Sequence, residues 1–212
     1  MSVRPLEIVP EPDAGAGADV LEHLRGRIQA LQGAPTRLSI PTLPLFDGLV
    51  QLRAGGVYGV DAAGLAMSLA AGASQQGEWV GFAGWRDFGA EAAHQRGVDL
   101  SRTVLVPAPG EHWVEVAAAL IDVLRVVVLR PPGAVDAKTA GILQARLRAR
   151  SAVLLVQGDW PRCDARLVTE QVEWVGVDAG RGRLREQRLR LLASSAGRPP
   201  ARSGVVVGEQ GP

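Results

Sequence analysis

From residue 56 onward, short apolar runs alternate with longer stretches in which small and charged residues mix. Residues 56–60, 79–83, 103–106, 126–129 and 153–156 read as strands. The fourth and fifth of these carry only aliphatic side chains, as strands covered on both faces require. Between them, residues 62–73, 89–96, 110–124 and 135–150 read as helices, the last with Ile142, Leu143 and Leu147 turned inward. Such alternation predicts an α/β domain: a mostly parallel sheet flanked by helices, joined by right-handed crossovers.

Both ends depart from this pattern. Past Trp160, residues 166–169, 172–177 and 184–192 predict two or three antiparallel strands around a turn at 179–182, followed by a Gly/Pro/Ser-rich flexible tail from 193 to 212. Residues 1–18 carry Pro5, Pro10, Pro12, Gly15 and Gly17 and predict disorder. Asp19 then caps an expected N-terminal helix with Leu21, Leu24, Ile28 and Leu31 on one face, closed by Gly33. Residues 34–45, with Pro35, Pro41 and Pro44, read as an extended arm, and the main domain is expected to run from 46 to 192.

Composition narrows the function classes. A formal charge of +1 gives the whole molecule no strong pull on nucleic acid or anionic membrane. Lys138 is the only lysine, so lysine chemistry would have to use it. Cys163, also single, excludes an internal disulfide and a cysteine-based zinc site. The first thirty residues have no apolar stretch of signal-peptide type, and residues 62–73 fall far short of the ~20 needed to span a bilayer. The expectation is a soluble cytoplasmic protein without membrane contact.

The first strand-to-helix loop reads Gly59-Val60-Asp61-Ala62-Ala63-Gly64-Leu65-Ala66. The spacing of Gly59 and Gly64 fits a phosphate-binding loop, but the lysine and hydroxyl positions hold Leu65 and Ala66. Gly55-Gly56-Val57-Tyr58-Gly59 before it resembles the approach to that loop in RecA recombinases. So do Ala92-Ala93-His94-Gln95-Arg96-Gly97-Val98-Asp99-Leu100 and Pro107-Ala108-Pro109-Gly110-Glu111 further on. Order and spacing carry this resemblance, over roughly residues 48–160, and it implies a RecA-like fold.

A nearer resemblance is to the RecA-like accessory proteins of damage-induced mutagenesis, the ImuA group and its short ImuA-prime branch. It rests on Gly48-Leu49-Val50-Gln51-Leu52-Arg53-Ala54-Gly55, Asp87-Phe88-Gly89-Ala90-Glu91-Ala92-Ala93, Val128-Leu129-Arg130-Pro131-Pro132-Gly133, Val153-Leu154-Leu155-Val156 and Gly158-Asp159-Trp160-Pro161. The resemblance implies a role in SOS-induced translesion DNA synthesis. The implied partner is a catalytically inactive Y-family polymerase homologue of the ImuB type, and through it an error-prone replicative-type polymerase.

The same resemblance implies a non-catalytic protein without cofactor. A P-loop lysine neutralises terminal phosphates and its hydroxyl holds Mg²⁺, which Leu65 and Ala66 cannot do. The position of the RecA aspartate that orients Mg²⁺ is Arg130. The position of the glutamate that activates water is Trp85. Asp87 and Glu91 are nearby acids, placed where they also suit a helix dipole. Lys138-Thr139, preceded by Gly133 and Asp136, imitates a P-loop end with the glycine spacing one short.

Other candidates bear on partners rather than chemistry. His23, His94 and His112 lie far apart, with no acidic cluster at metal-ligand spacing. Trp79, Trp113 and Trp174 read as packing residues, and Trp160, beyond a strand at the ligand end, as packing or a partner contact. The apolar face of Leu21, Leu24, Ile28 and Leu31 either folds on its own core or docks on a partner. Arg181, Arg183 and Arg185 share one face of an expected strand, as a charged edge or a weak, sequence-independent DNA contact. A competing expectation is a SulA-type division inhibitor that binds a tubulin-like GTPase; a third, an ATPase with an unorthodox site, conflicts with Leu65, Ala66 and Arg130. Neighbouring polymerase genes would favour the first reading.

Overall fold

A computed structural model describes residues 37–178, 181–195 and 197–208. Chain order is β1 (Ser39–Ile40), β2 (Leu52–Arg53), β3 (Val57–Val60), α1 (Ala63–Gln75), β4 (Val80–Ala83), α2 (Ala90–Gln95) and β5 (Thr103–Val106). Then follow α3 (Trp113–Val123), β6 (Val126–Leu129), α4 (Ala137–Arg150), β7 (Val153–Gln157), β8 (Ala165–Asp178), β9 (Arg181–Ser195) and β10 (Arg198–Gly208). Among the described residues, eight strands form one sheet in the order β10-β9-β8-β3-β7-β6-β4-β5. The six from β8 to β5 are parallel, and β9 and β10 add antiparallel pairs. The expected α/β class holds as a mixed sheet flanked by helices.

Alternate side chains of the buried strands divide the core in two. Val60, Val80, Phe82, Val126, Val128, Val153 and Leu155 face one layer with α1 and Ala93 of α2. Val57, Ala83, Val127, Leu129, Leu154 and Val156 face the other with α3 and α4. This is why β6 has no polar position: all four of its residues are buried. Small residues let α1 lie close to its cover. A Cβ on Gly72 would come within 2.4 Å of the Thr42 backbone.

Three boundaries differ from expectation. The arm does not remain apart from the domain over its second half: Ser39 and Ile40 pair with Arg53 and Leu52, and Ile40 is buried in the core. Pro41 follows this short pair, and Pro44 starts a 3-10 turn (Pro44–Phe46) whose Phe46 is buried in the core, so the segment lies over α1 without continuing as a strand. The two short antiparallel strands expected at 166–169 and 172–177 are one strand, β8, which starts parallel to β3 and is antiparallel only to β9, with a bulge at Glu170, where the register shifts between Thr169 and Gln171. The flexible tail is corrected over 198–208: it is β10, paired to β9 from Arg198↔Ser195 to Gly208↔Glu186. Its Val205-Val206-Val207 run suits a strand, a signal that the surrounding Gly, Pro and Ser outweighed in the sequence. The expected disorder at 1–18 and the N-terminal helix with Leu21, Leu24, Ile28 and Leu31 lie outside the described residues.

Candidate functional site

In an open parallel sheet, ligands sit beyond the carboxyl ends of the strands. At that edge, β3 ends at Val60 and α1 begins at Ala63, so the loop between is only Asp61 and Ala62. It leaves no room for the wide anion-cradling turn of a P-loop. Asp61 is instead tied sideways to β8: its carboxylate accepts from the Thr169 N–H at 2.7 Å and from the Thr169 hydroxyl at 3.3 Å. Leu65 and Ala66 lie inside the helix and in the core, 3% and 0% exposed.

The two glycines that imitate the motif have local reasons. A Cβ on Gly59 would press within 3.2–3.3 Å of the Arg166 guanidinium and the Cys163 sulfur. A Cβ on Gly64 would meet the Arg96 guanidinium at 2.6 Å. Arg96 is half-buried beside the first turn of α1; its Nη2 donates to Gln187 Oε1 at 3.4 Å, and its buried Nη1 has no partner among the described residues. Burial pushes this guanidinium down from its ordinary pKa.

Trp85 and Arg130, assigned to the two lost acidic positions, are brought together. The guanidinium carbon of Arg130 lies 4.3 Å from the Trp85 ring centroid. Trp85 is 1% exposed, meets Phe82 edge-on at 5.6 Å, and keeps a buried indole N–H without a partner among the described residues. Arg130 also pairs with Asp87 and donates from Nε to Gln157 Oε1 at 2.9 Å, and Gln157 donates to the Asp61 carbonyl at 3.3 Å. A chain of contacts therefore crosses β6, β7, β3 and β8. The Arg130 hydrogen bond, first, and a hydrogen bond from its own backbone hold the Asp87 carboxyl below the usual aspartate range. Asp87 is thus engaged as an ion-pair partner. Gly84 is required here: its φ is +81°, and a Cβ would fall 2.1 Å from the Arg130 carbonyl oxygen.

Lys138 is exposed, and the Asp136 carboxylate caps α4 by accepting from the Lys138 and Thr139 N–H groups, both at 2.9 Å. That N-cap without a glycine cradle explains the resemblance to a P-loop end. Among the described residues, no His/Cys/Asp/Glu group of three or more could hold a metal ion, and no helix is long and apolar enough to cross a membrane.

The partner candidates fare unevenly. Trp160 is 7% exposed and packs in the core layer of α3 and α4, so it offers a partner only an edge. Trp113 packs against the same layer. Trp79 and Trp174 are not packing residues as expected: they are 47% and 54% exposed. For Trp174, β8 runs on well past Val60, the last β3 residue it adjoins, and so leaves the helices behind. Arg181, Arg183 and Arg185 fall within β9, but their side chains lie outside the described residues, as do Leu21, Leu24, Ile28 and Leu31 entirely.

One cavity was not legible in the sequence. Trp160, Pro161, Cys163, Arg166, Ser194 and Ser195 line an open hollow of about 320 Å³. They come from the β7–β8 connection, the start of β8 and the end of β9, which meet only through the Ala165↔Ser195 and Arg166↔Ser194 register. No local spacing could have announced it.

Residues 45–162 match the family described as the MT3502 N-terminal domain. The chain is also 36% identical over 176 residues to the uncharacterized protein Rv3395c of Mycobacterium tuberculosis (strain ATCC 25618 / H37Rv), an alignment covering 78% of this chain and 83% of that protein.

Proposed function

The chain belongs to the family of the MT3502 N-terminal domain, and we propose that it is a non-catalytic RecA-like accessory protein of mutagenic translesion synthesis, acting by binding an inactive Y-family polymerase homologue of the ImuB type. The observation that carries the non-catalytic part is the Arg130–Trp85 stack: a cation and an indole occupy the carboxyl edge where a metal and an attacking water would be handled. A two-residue loop after β3 and a buried Leu65 support the same reading. The sheet's first parallel strand lies in its interior, with a strand-to-helix turn at the carboxyl edge. That arrangement supports a RecA-like ancestry. The partner rests on the ImuA resemblance of residues 48–55, 87–93, 128–133 and 153–161. The cytoplasm and an SOS-induced setting follow from that reading.

In this reading the N-terminal apolar face of Leu21, Leu24, Ile28 and Leu31 is the partner contact, and DNA contact through Arg181, Arg183 and Arg185 is weak. The test is co-purification of the full chain with the polymerase homologue. The wild type should retain the homologue. Leu24→Asp with Ile28→Asp should lose it while the melting temperature stays close to wild type, because charges on a buried apolar contact cost several kcal/mol. No complex with the wild type would overturn the proposal. A complex undiminished in the double variant would remove the N-terminal helix from it.

A further inference from the structure

The cavity at the start of β8 contains a guanidinium, that of Arg166, which is half-buried and makes no ion pair among the described residues. The nearest acid in sequence, Asp164, accepts from the Val57 N–H at 2.9 Å through Oδ2, and its charge also acts on the Cys163 thiol. Cys163 does not neutralise Arg166. Burial, the largest influence, pushes the thiol up from its ordinary value, although Arg166 pulls the other way, so at neutral pH it is an S–H group. The Ser194 hydroxyl donates to the Arg166 carbonyl at 3.4 Å, which leaves its lone pairs and rotor at the rim. The Ser195 hydroxyl makes no hydrogen bond among the described residues. Trp160 and Pro161 supply an apolar wall opposite these polar groups.

We propose that this cavity is an oxyanion site that takes a phosphoryl group, with Arg166 as the charge partner, Ser195 as a hydroxyl donor, and Trp160 with Pro161 against whatever the phosphate carries. Guanidinium suits phosphate because it presents parallel N–H groups in a plane and is weakly hydrated. A volume of about 320 Å³ admits a phosphate with an attached ring. Gly59 belongs to this site, since a side chain there would crowd the guanidinium. The site is separate from the Arg130–Trp85 stack and independent of the proposed partner.

Cys163 is the chain's single cysteine and lines the cavity, so its modification reports on this place alone. The experiment is the rate of N-ethylmaleimide labelling of the full chain, titrated with inorganic phosphate, deoxyadenosine monophosphate or a thymidine oligonucleotide, against chloride at matched ionic strength. Saturable slowing by any of the phosphates, absent with chloride, is expected. Which one protects identifies the source: a free phosphate compound or a nucleic-acid strand. Arg166→Gln should weaken protection about ten-fold or more, Arg166→Lys should restore part of it, and Arg162→Gln, an exposed neighbour, should change little. Should Arg166→Gln lose its folded circular dichroism, Ser194→Trp fills the cavity from the rim and should abolish protection instead. Protection by none of the three phosphates, or protection unchanged in the folded Arg166→Gln or Ser194→Trp variant, overturns the proposal.

Discussion

The Arg130 guanidinium lies 4.3 Å over the ring of Trp85, and both residues sit where the RecA resemblance expects acids. Their stacking makes them one arrangement, because a cation over a buried indole gains from the ring quadrupole. The arrangement closes the crevice from within. It links β4 to β6 through Trp85 and Arg130, and continues through Gln157 to the loop after β3.

This closure predicts that nucleotide binding cannot be recovered by restoring motif residues. Leu65 is 3% exposed in the core, so Leu65→Lys buries an ammonium rather than presenting it to phosphate. Stability should fall by more than about 3 kcal/mol, read by urea denaturation. Calorimetry with ATP and Mg²⁺ should give no heat for the wild type or for Leu65→Lys with Arg130→Asp. A dissociation constant of about 1 μM, near −8 kcal/mol, in either protein would sink this account.

The Arg130–Asp87 pair has a pH signature. Its hydrogen bond to Arg130 lowers the Asp87 pKa in the folded protein. The unfolded chain therefore binds a proton at higher pH than the folded one does. The stabilisation is complete above the ordinary aspartate value of ~3.9 and is lost as pH falls through the lowered one. Asp87 is exposed, so the effect on stability is small. Carboxyl NMR should place its midpoint below the ordinary value in the wild type and return it towards that value in Arg130→Gln. Identical midpoints in the two proteins would show that Arg130 does not set it.

Two glycines in helices should respond with opposite signs. A Cβ on Gly72 would fall 2.4 Å from the Thr42 backbone, which has no flexible end to yield. Gly72→Ala should destabilise by roughly 2–4 kcal/mol. Gly141, exposed in α4, has nothing within 4 Å of an added Cβ. Gly141→Ala should stabilise by roughly 0.5–1 kcal/mol. Denaturation midpoints check both, and a neutral Gly72→Ala would mean that residues 38–46 do not lie on α1.

These contrasts show which information was local. Continuous apolar runs such as Val126–Leu129 suit strands buried on two faces, so the α/β class and the parallel strands β3 to β7 were legible, whereas the parallel pairing of β8 with β3 was not. The identities of Leu65, Ala66, Trp85 and Arg130, which the RecA resemblance singled out, were legible. What could not be read was which residues meet. Trp85 and Arg130 lie in the loops after two different strands, β4 and β6, and Arg166, Cys163 and Ser195 converge through strand pairing distant in sequence. The apparent P-loop spacing misled for the same reason: Gly59 and Gly64 make room for Arg166 and Arg96, which arrive from elsewhere in the chain.

The C-terminal segment gives the sharpest test of where composition misleads. Glycine, proline and serine around 193–204 suggest a tail, and a tail can be removed without consequence. Yet residues 198–208 form β10, which covers the outer edge of β9 from Ser195 to Glu186. Leu191, paired with Ser203, is fully buried, and Ala201 packs against the core layer that includes it. Ending the chain after Gly197 would remove this strand and leave the long edge of β9 without a neighbour, a template for association with other chains. The shortened protein should lose roughly 2–5 kcal/mol of stability and form concentration-dependent oligomers in analytical ultracentrifugation. Ending the chain after Gly208 keeps β10 and should leave stability and oligomeric state as they are. If the cut after Gly197 gave a monomer with an unchanged melting temperature, β10 would contribute nothing to the sheet, and the tail reading of the sequence would stand.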